Sequence, residues 1–186
     1  MNRIHHRICQ SADWFAKVEQ QTLPWALDGL DLGSKVLEIG PGFGATTRVL
    51  ARTVPDLTAV EIDVLLARRL REQHGDRVAV VHGDGTRLPF DDESFDSVVC
   101  FTMLHHVPSA RLQDRLFGEA FRVLRGGGVF AGCDSRPTLR WRILHVGDIG
   151  VPVNPATLPG RLEAAGFAQA SVATARTALK FQAAKP

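Results

Sequence analysis

The stretch VLEIGPGFGATT, residues 36–47, decides the fold. It begins inside an apolar, β-branched run, Lys35–Ile39, which is typical of a buried strand. The run stops at a loop with alternating glycines, at Gly40, Gly42 and Gly44. Glycines allow a tight turn and a close approach of the backbone to a ligand. The apolar spacing of Ala45–Thr53 then predicts a helix, whose first N–H groups would face whatever the loop binds.

Strand and helix patterns alternate along the rest of the chain. Strands are predicted at residues 57–62, 77–82, 95–101 and 128–133, with two more around Ala175–Thr177. Three helices are predicted between them: one from Asp63 to Gly75, one from Ser109 to Gly126, and one from Asn154-Pro155 to Gly166. Upstream, Ser11–Leu30 predicts one or two helices that pack on the sheet or over its binding edge.

This alternation predicts an α/β fold with one mostly parallel sheet. Strand–helix–strand units favour right-handed parallel connections. The two final strands are separated by only a few residues, and a parallel crossover needs a dozen or more. We therefore expect one antiparallel strand at the end of the sheet.

Composition limits the possible classes of protein. The chain has 186 residues, of which 45% are hydrophobic and 23% charged, with a formal net charge of +2. These values favour one folded domain and argue against a disordered chain or a nucleic-acid partner. No apolar run approaches the length of a membrane span, and the first ten residues have no signal-peptide core, so we expect a cytoplasmic protein without membrane insertion. The three cysteines predict neither disulfides nor a zinc site.

Acidic and polar residues follow the next three strands, at the edge where an open α/β sheet binds its ligands. A carboxylate at Glu61 can accept both hydroxyls of a ribose. Asp84-Gly85 is suited to the edge of an adenine, although an ordinary turn explains it equally well. Thr102–His106 lies at the mouth of the same cleft. The rival interpretation, a dinucleotide site, expects GxGxxG, whereas this loop is GxGxG and Phe43 fills it.

These residues resemble the class I S-adenosylmethionine-dependent methyltransferases, in the small-molecule branch that includes quinone-biosynthesis enzymes. VLEIGPGFGATT (36–47) resembles the first family motif, AVEID (59–63) the acidic second motif, and HGDGTRLPFDDESFDSVV (82–99) the stretch that follows. LHHV (104–107) and RVLRGGGVF (122–130) are also similar to that branch. The resemblance implies a Rossmann-like three-layer sandwich, with a seven-stranded sheet of order 3-2-1-4-5-7-6 and an antiparallel strand 7.

The resemblance also implies a division of the single domain, residues 1–186. It predicts an N-terminal helical segment at 1–32, a cofactor-binding core at 33–133, a candidate substrate loop at 134–155, and a C-terminal helix with two strands at 156–186. Because little chain lies outside the core, we expect a small methyl acceptor.

Individual roles follow from the same resemblance. The loop glycines Gly40, Gly42 and Gly44 would cradle the methionine part of S-adenosylmethionine. Glu38 would lie near its ammonium group, and Thr102 would contact the methionine end through its backbone. Glu61 would bind the ribose and Ile62 the adenine, while Asp84 and Gly85 face the adenine edge. Gly85 departs from the family, which more often has alanine there. The product would be S-adenosylhomocysteine.

Catalysis in such a site depends mainly on alignment of donor and acceptor. If the acceptor must lose a proton, His105 and His106 are the candidate general bases by position. The alternative is that one histidine packs under the loop and the other shapes the cleft. No metal is expected: His5, His6 and Cys9 lack a second ligand pair, and we predict a disordered or surface N-terminus.

The acceptor is less well defined by the sequence. Asp134–Asn154 carries candidate contacts, Arg136, Arg140, Trp141, Arg142, His145 and Asp148. A solvated loop anchored by its tryptophan is the alternative interpretation, and it is favoured for the individual arginines. Trp14 and Trp25 fit packing better than a lid. Two other functions stay open, a non-catalytic nucleoside-binding module and a dinucleotide-dependent oxidoreductase.

Overall fold

A computed structural model describes residues 2–186 of the chain. The strands of this described part are β1 (Lys35–Ile39), β2 (Asp56–Glu61), β3 (Val78–His82), β4 (Phe95–Phe101), β5 (Leu124–Ser135), β6 (Ala168–Thr174) and β7 (Ala178–Ala184). Its α-helices are α1 (Arg3–Cys9), α2 (Ala12–Lys17), α3 (Leu23–Ala26), α4 (Thr47–Leu50), α5 (Val64–His74), α6 (Ala110–Val123), α7 (Leu139–Leu144) and α8 (Leu158–Ala164). A π-helical segment, Val18–Thr22, joins α2 to α3, and a 3-10 turn, Leu104–His106, follows β4.

The seven strands form one sheet in the order β3-β2-β1-β4-β5-β7-β6. The sheet is parallel from β3 to β5, and β7 runs antiparallel to both of its neighbours. Both the order and the antiparallel strand confirm the predictions. The strand order reverses at β1, which lies between β2 and β4, so the carboxyl ends of these strands form the edge that binds ligands in such folds.

The sheet is buried on both faces, which explains why its central strands are nearly continuous apolar runs. One hydrophobic cluster joins the sheet to α6 and α8, through residues such as Phe117 and Leu158. The other joins it to the N-terminal helical segment, through Val18, Leu23 and Ala26. The predicted packing of the N-terminal helices on the sheet is therefore correct, and Trp25 packs against the same cluster.

Two predicted helix caps are present. The Asp63 carboxylate accepts the backbone N–H groups of Leu65 and Leu66 at the start of α5. The Ser109 hydroxyl accepts the N–H of Leu112 at the start of α6, at 3.2 Å. Caps of this kind stabilise a helix by about 1 kcal/mol each. They also fix where α5 and α6 begin, immediately beyond the ligand-binding edge.

Several predicted boundaries were wrong. The helix predicted in 45–53 is regular only over α4. Thr46 before it and Thr47 at its first position donate their hydroxyls to the Glu38 carboxyl beneath the helix. Strand β5 begins at Leu124 and not at residue 128, because Leu124 is buried and pairs with Phe95. Asn154 opens a turn and not a helix, so α8 begins only at Leu158. The segment 134–155 also contains α7, which its irregular apolar spacing did not predict.

The N-terminus also differs from its prediction. Asn2 caps α1, and its side-chain amide donates to the Leu144 carbonyl at 2.6 Å. His5 is buried, so a disordered or purely surface N-terminus is wrong for this segment. Met1 lies outside the described residues. Within residues 2–186, no helix combines the length and apolar character that a membrane span requires.

Candidate active site

A cleft of about 550 Å³ opens at the carboxyl ends of β1, β2 and β4. It is lined by the glycine loop except Gly44, by the residues after β2, β3 and β4, and by parts of α1, α2 and α7. Its volume lies within the roughly 300–1,000 Å³ that small-molecule sites occupy. The cleft therefore brings together most of the predicted site residues.

The glycine loop uses backbone conformations that favour glycine. Gly40, Gly42 and Gly44 have φ angles of 66°, 58° and 80°. A Cβ atom on Gly40 would lie 2.9 Å from Cε of Met103, and one on Gly44 would lie 2.7 Å from Cδ2 of Leu70. A Cβ on Gly42 would meet no atom within 4 Å, so at this point the loop faces open space. The loop is packed tightly at both ends and open in the middle.

The Glu61 carboxylate holds the loop in place. It is buried, and it accepts the N–H of Gly42 at 2.9 Å on one oxygen and the N–H of Asp63 at 2.9 Å on the other. A carboxylate offers about four lone-pair sites, so roughly two remain for a ligand. This second role of Glu61 was not predicted, since nothing in the residue spacing indicates that its carboxylate bonds to the loop.

Glu38 lies beneath the loop and does not line the cleft. Its buried carboxyl accepts hydrogen bonds from the hydroxyls of Thr46 and Thr47, the second at 2.7 Å. Burial raises the pKa of Glu38 to about 7, although the two hydroxyls lower it in part. Its predicted role near a ligand ammonium group stays a prediction.

The predicted adenine contacts lie together in the cleft. Asp84 accepts the N–H of Thr86 at 2.8 Å, which shapes the turn after β3. Ile62 lines the cleft although 65% of it is exposed, so its apolar side chain is available to a flat ring. A Cβ on Gly85 would lie 2.7 Å from Cγ2 of Ile39. This contact explains why glycine stands here in place of the alanine that is commoner in the family.

Thr102 has a φ angle of 52°, a rare conformation for a residue with a side chain. Its N–H donates to the Cys133 carbonyl at 2.8 Å, which fastens the end of β4 to β5. Strained backbone of this kind concentrates at functional sites. The residue lines the cleft, as predicted for a backbone contact.

His105 and His106 both line the cleft, but in different surroundings. The ring of His105 is buried, and its Nδ1 makes a short hydrogen bond to the Asp134 carboxylate. That carboxylate also accepts the backbone N–H of His105 at 2.9 Å. Among the described residues, Nε2 of His105 has no hydrogen-bond partner. Burial, helped by neighbouring imidazoles, lowers the pKa of His106 to about 3, so this ring is neutral and a weak base.

Two more histidines, His5 and His145, join this pair. The ring centroids of His5 and His145 lie 4.4 Å apart, and that of His106 lies 5.3 Å from His5. Burial lowers the pKa of both His5 and His145. This cluster was not predicted from the sequence, because its members come from residues 5, 105–106 and 145 and share no local pattern. Asp134, which orients His105, was missed for the same reason.

Only some of the candidate acceptor contacts in the segment 134–155 lie in the cleft. Trp141, Leu144, His145 and Ile149 line the cleft, whereas Arg136, Arg140 and Arg142 do not. Arg136 donates to the Ala175 carbonyl instead, at 2.9 Å. The indole Nε1 of Trp141 is buried without a partner among residues 2–186. It is therefore a free donor at the edge of the cleft.

Gln113, which was not among the predicted site residues, links the acceptor segment to the turn after β4. Its side-chain amide donates to the carbonyls of Leu104 at 3.0 Å and Val151 at 2.9 Å. The N–H of Val151 donates in turn to the His105 carbonyl at 2.8 Å. These bonds tie the acceptor segment to the turn that carries the histidine pair.

Comparisons with known proteins agree with this geometry. A family model described as "Methyltransferase domain" matches residues 37–132. The phthiotriol/phenolphthiotriol dimycocerosates methyltransferase of Mycobacterium tuberculosis is 38% identical over 114 residues, which cover 58% of this chain and 40% of that protein. The erythromycin 3''-O-methyltransferase of Saccharopolyspora erythraea is 33% identical over 172 residues, with 80% of this chain and 55% of that protein covered. The chain thus spans about half, or less, of these curated relatives.

A solved structure described as a SAM dependent methyltransferase from Aquifex aeolicus superimposes with a TM-score of 0.70. The two chains are 16% identical, and the match covers 95% of this chain and 99% of the other. At that identity the likeness concerns the fold.

Proposed function

The chain belongs to the methyltransferase-domain family, and from this premise we propose that it transfers the methyl group of S-adenosylmethionine to a small molecule. One observation carries the proposal. The glycine loop, Glu61 and the Asp84 turn meet around one cleft, in the arrangement that the family resemblance implies. The names of the two curated relatives, both methyltransferases of small molecules, support the same class of acceptor.

The residues of the cleft fit an adenosyl ligand with a short charged tail. The open face at Gly42 leaves room for the tail, because no atom lies where its side chain would be. The lone pairs that remain on Glu61 suit the two ribose hydroxyls. The exposed side chain of Ile62 offers an apolar surface for the adenine.

The proposed reaction is a displacement at carbon. When bound, S-adenosylmethionine supplies a methyl carbon that takes the acceptor's lone pair as its bond to sulfur breaks, with the sulfur keeping the electron pair. The chain's own part is to hold donor and acceptor in line, which is worth about 7–11 kcal/mol of barrier in well-aligned cases. The rings of Trp141 and His145 help to close the acceptor side of the cleft against water.

For an acceptor that must lose a proton, His105 suits the role of base better than His106. The Asp134 carboxylate fixes one ring nitrogen of His105 and leaves Nε2 without a partner. An acidic group that orients a histidine in this way is common in acyl-transfer enzymes. The ring of His106 is partly buried, and desolvation with the neighbouring imidazoles lowers its pKa to about 3, so it stays neutral and is a poor proton acceptor.

The test combines donor binding with methyl transfer. Calorimetry should show that S-adenosylhomocysteine binds and that NAD does not. Glu61→Gln should weaken that binding by about 1–3 kcal/mol, because a buried polar contact is lost, whereas Glu72→Gln on the exposed face of α5 should leave it unchanged. Absence of adenosyl-ligand binding would overturn the proposal, and NAD binding alone would favour the oxidoreductase.

Transfer of a labelled methyl group to a panel of hydroxyl, amine, thiol and carbon acceptors tests catalysis. Turnover of any acceptor excludes the non-catalytic module. With a hydroxyl acceptor, His105→Gln should lower kcat while the dissociation constant of S-adenosylhomocysteine stays the same. An unchanged kcat would remove His105 from the mechanism. A location in the cytoplasm remains part of this proposal.

A further inference from the structure

Three histidine side chains from distant parts of the chain meet in the cleft. His5 belongs to α1, His106 to the turn after β4, and His145 follows α7. Each offers one ring nitrogen that lies within 4.8 Å of those of the other two. Bonds of about 2.0–2.1 Å to a tetrahedral zinc ion would place such atoms roughly 3.3 Å apart, so side-chain shifts of about 1 Å would close the site.

A hydrogen bond already holds the ring of each of the three histidines. Nδ1 of His5 lies 3.2 Å from the Asp148 carboxylate, and Nδ1 of His145 lies 2.8 Å from the Trp141 carbonyl. His106 makes a hydrogen bond with the backbone of Ile149. Histidines that bind metals are held in this manner, by a carboxylate or a backbone carbonyl on the far side of the ring.

A second, independent observation points to a ligand. His145 is only 8% exposed, and its Nε2 is buried with no hydrogen-bond partner within the described part of the chain. Buried nitrogens without a partner are uncommon in folded proteins, because burial removes their hydrogen bonds to water and nothing replaces them. Nδ1 of the same ring already has the Trp141 carbonyl as its partner, so Nε2 is the nitrogen that is left to bind a metal.

We propose that His5, His106 and His145 bind one divalent transition-metal ion, of the class of Zn²⁺, Co²⁺ or Ni²⁺. Imidazole nitrogens select these ions, whereas Mg²⁺ and Ca²⁺ prefer oxygen ligands. Three protein ligands leave a coordination position open, as in catalytic zinc sites. This proposal replaces the sequence-based expectation of no metal.

The site would have two consequences. A metal held by His5 would fasten α1 across the cleft, because the other two ligands belong to the cleft wall. The second consequence rests on the proposed function: the open position would take an oxygen of the acceptor, and a divalent ion makes the proton on that oxygen easier to remove.

The experiment uses the full chain without a polyhistidine tag, stripped of metal by a chelator. Calorimetric titration with Zn²⁺ should give one equivalent bound at a micromolar or lower dissociation constant, and Mg²⁺ should not compete. Titration with Co²⁺ should produce visible absorption bands of a nitrogen-ligated, low-coordinate ion. Neither readout requires donor, acceptor or turnover, so a failure of this inference is distinct from a failure of the proposed function.

Substitutions of single residues test which side chains bind the ion. His145→Gln and His5→Gln should each weaken Zn²⁺ binding at least tenfold, and Asp148→Asn should weaken it about 10- to 100-fold by freeing the ring of His5. His82→Gln is the control, since His82 is exposed at the end of β3 and lies outside both the three-histidine cluster and the cleft lining, and it should leave the affinity unchanged. Binding of S-adenosylhomocysteine with chelator present checks that each variant is folded.

Two results would overturn the proposal. One is the absence of Zn²⁺ binding by the folded wild-type chain. The other is an affinity that neither His145→Gln nor His5→Gln changes, since the ion would then sit on surface histidines.

Discussion

At the scale of single residues, Glu38 shows how burial sets chemistry. It lies on β1, an inner strand of the sheet, and burial raises the pKa of the carboxyl from 4.5 to about 7. The ionised form is therefore less favourable in the folded chain than in the unfolded one. Its stabilising contribution is full below the unfolded value of 4.5 and is lost as the pH rises through about 7.

This shift gives a prediction about stability. Relative to Glu38→Gln, the wild-type chain should lose about 2 kcal/mol of unfolding free energy between about pH 5.5 and pH 8. Denaturant unfolding of both proteins at the two pH values measures the difference. Glu72→Gln, on the exposed surface of α5, should show no such pH dependence. If the difference in unfolding free energy between the wild-type chain and Glu38→Gln were the same at both pH values, the pKa of Glu38 would not be raised.

At the scale of elements, α1 is a short helix that touches the cleft without belonging to the core. None of its described side chains joins either hydrophobic cluster. It is held by His5 at Asp148, by Asn2 at the Leu144 carbonyl, and by an edge contact of His6 on Phe43 at 4.6 Å between ring centroids. Such an element can leave the cleft without unfolding the sheet.

Deleting residues 1–10 should therefore keep the fold and speed the release of ligand. We expect S-adenosylhomocysteine to dissociate at least about tenfold faster, which corresponds to about 1.4 kcal/mol of lost binding free energy. Both samples contain chelator, and an unchanged circular dichroism spectrum shows that the shortened chain is folded. Stopped-flow displacement measures the rate constant. Ile4→Ser, at a position of α1 that is 68% exposed, is the control and should release the ligand at the wild-type rate. An equal rate after the deletion would show that α1 does not cover the bound ligand.

At the scale of the whole molecule, the three free cysteines lie in regions of different packing, two in the sheet and one at the end of α1. Cys100 on β4 and Cys133 on β5 are buried in neighbouring strands, and burial raises the pKa of Cys133 to about 12. Burial also raises the pKa of Cys9, at the end of α1, to about 11, but this thiol is partly exposed. Because only thiolates react readily, all three should be slow in the native chain.

The prediction is that Cys9 reacts first and that Cys100 and Cys133 react only with global unfolding. Labelling with N-ethylmaleimide, followed by mass spectrometry of peptides, measures each rate. In guanidinium the three thiols should react at similar rates, which is the control. Labelling of the two strand cysteines as fast as Cys9 in the native chain would mean that β4 and β5 separate without global unfolding.

Much of the fold could be predicted from the sequence, because interactions between neighbouring residues determine it. The glycine loop, the caps Asp63 and Ser109, and the antiparallel final strand depend on conformational preferences or on connection lengths that neighbouring residues determine. The positions of Glu61, Asp84 and Thr102 around one cleft follow for the same reason, because each lies at or just after the end of a strand, whereas their roles toward a donor stay predictions. Boundaries such as the start of β5 were missed, because burial of Leu124 against distant strands outweighs local preference.

The sequence by itself determined the strands, the glycine loop and one antiparallel strand at the end of a mostly parallel sheet, since strand periodicity, glycine positions and connection lengths are local features. The strand order was implied by the family resemblance, and the tertiary structure confirms it. Only the tertiary structure decided the acceptor side. The histidine cluster joins residues 5, 106 and 145, and Asp134 orients His105 across 29 positions of chain. Packing of distant segments creates such contacts, and burial then sets the charge of the side chains that meet there.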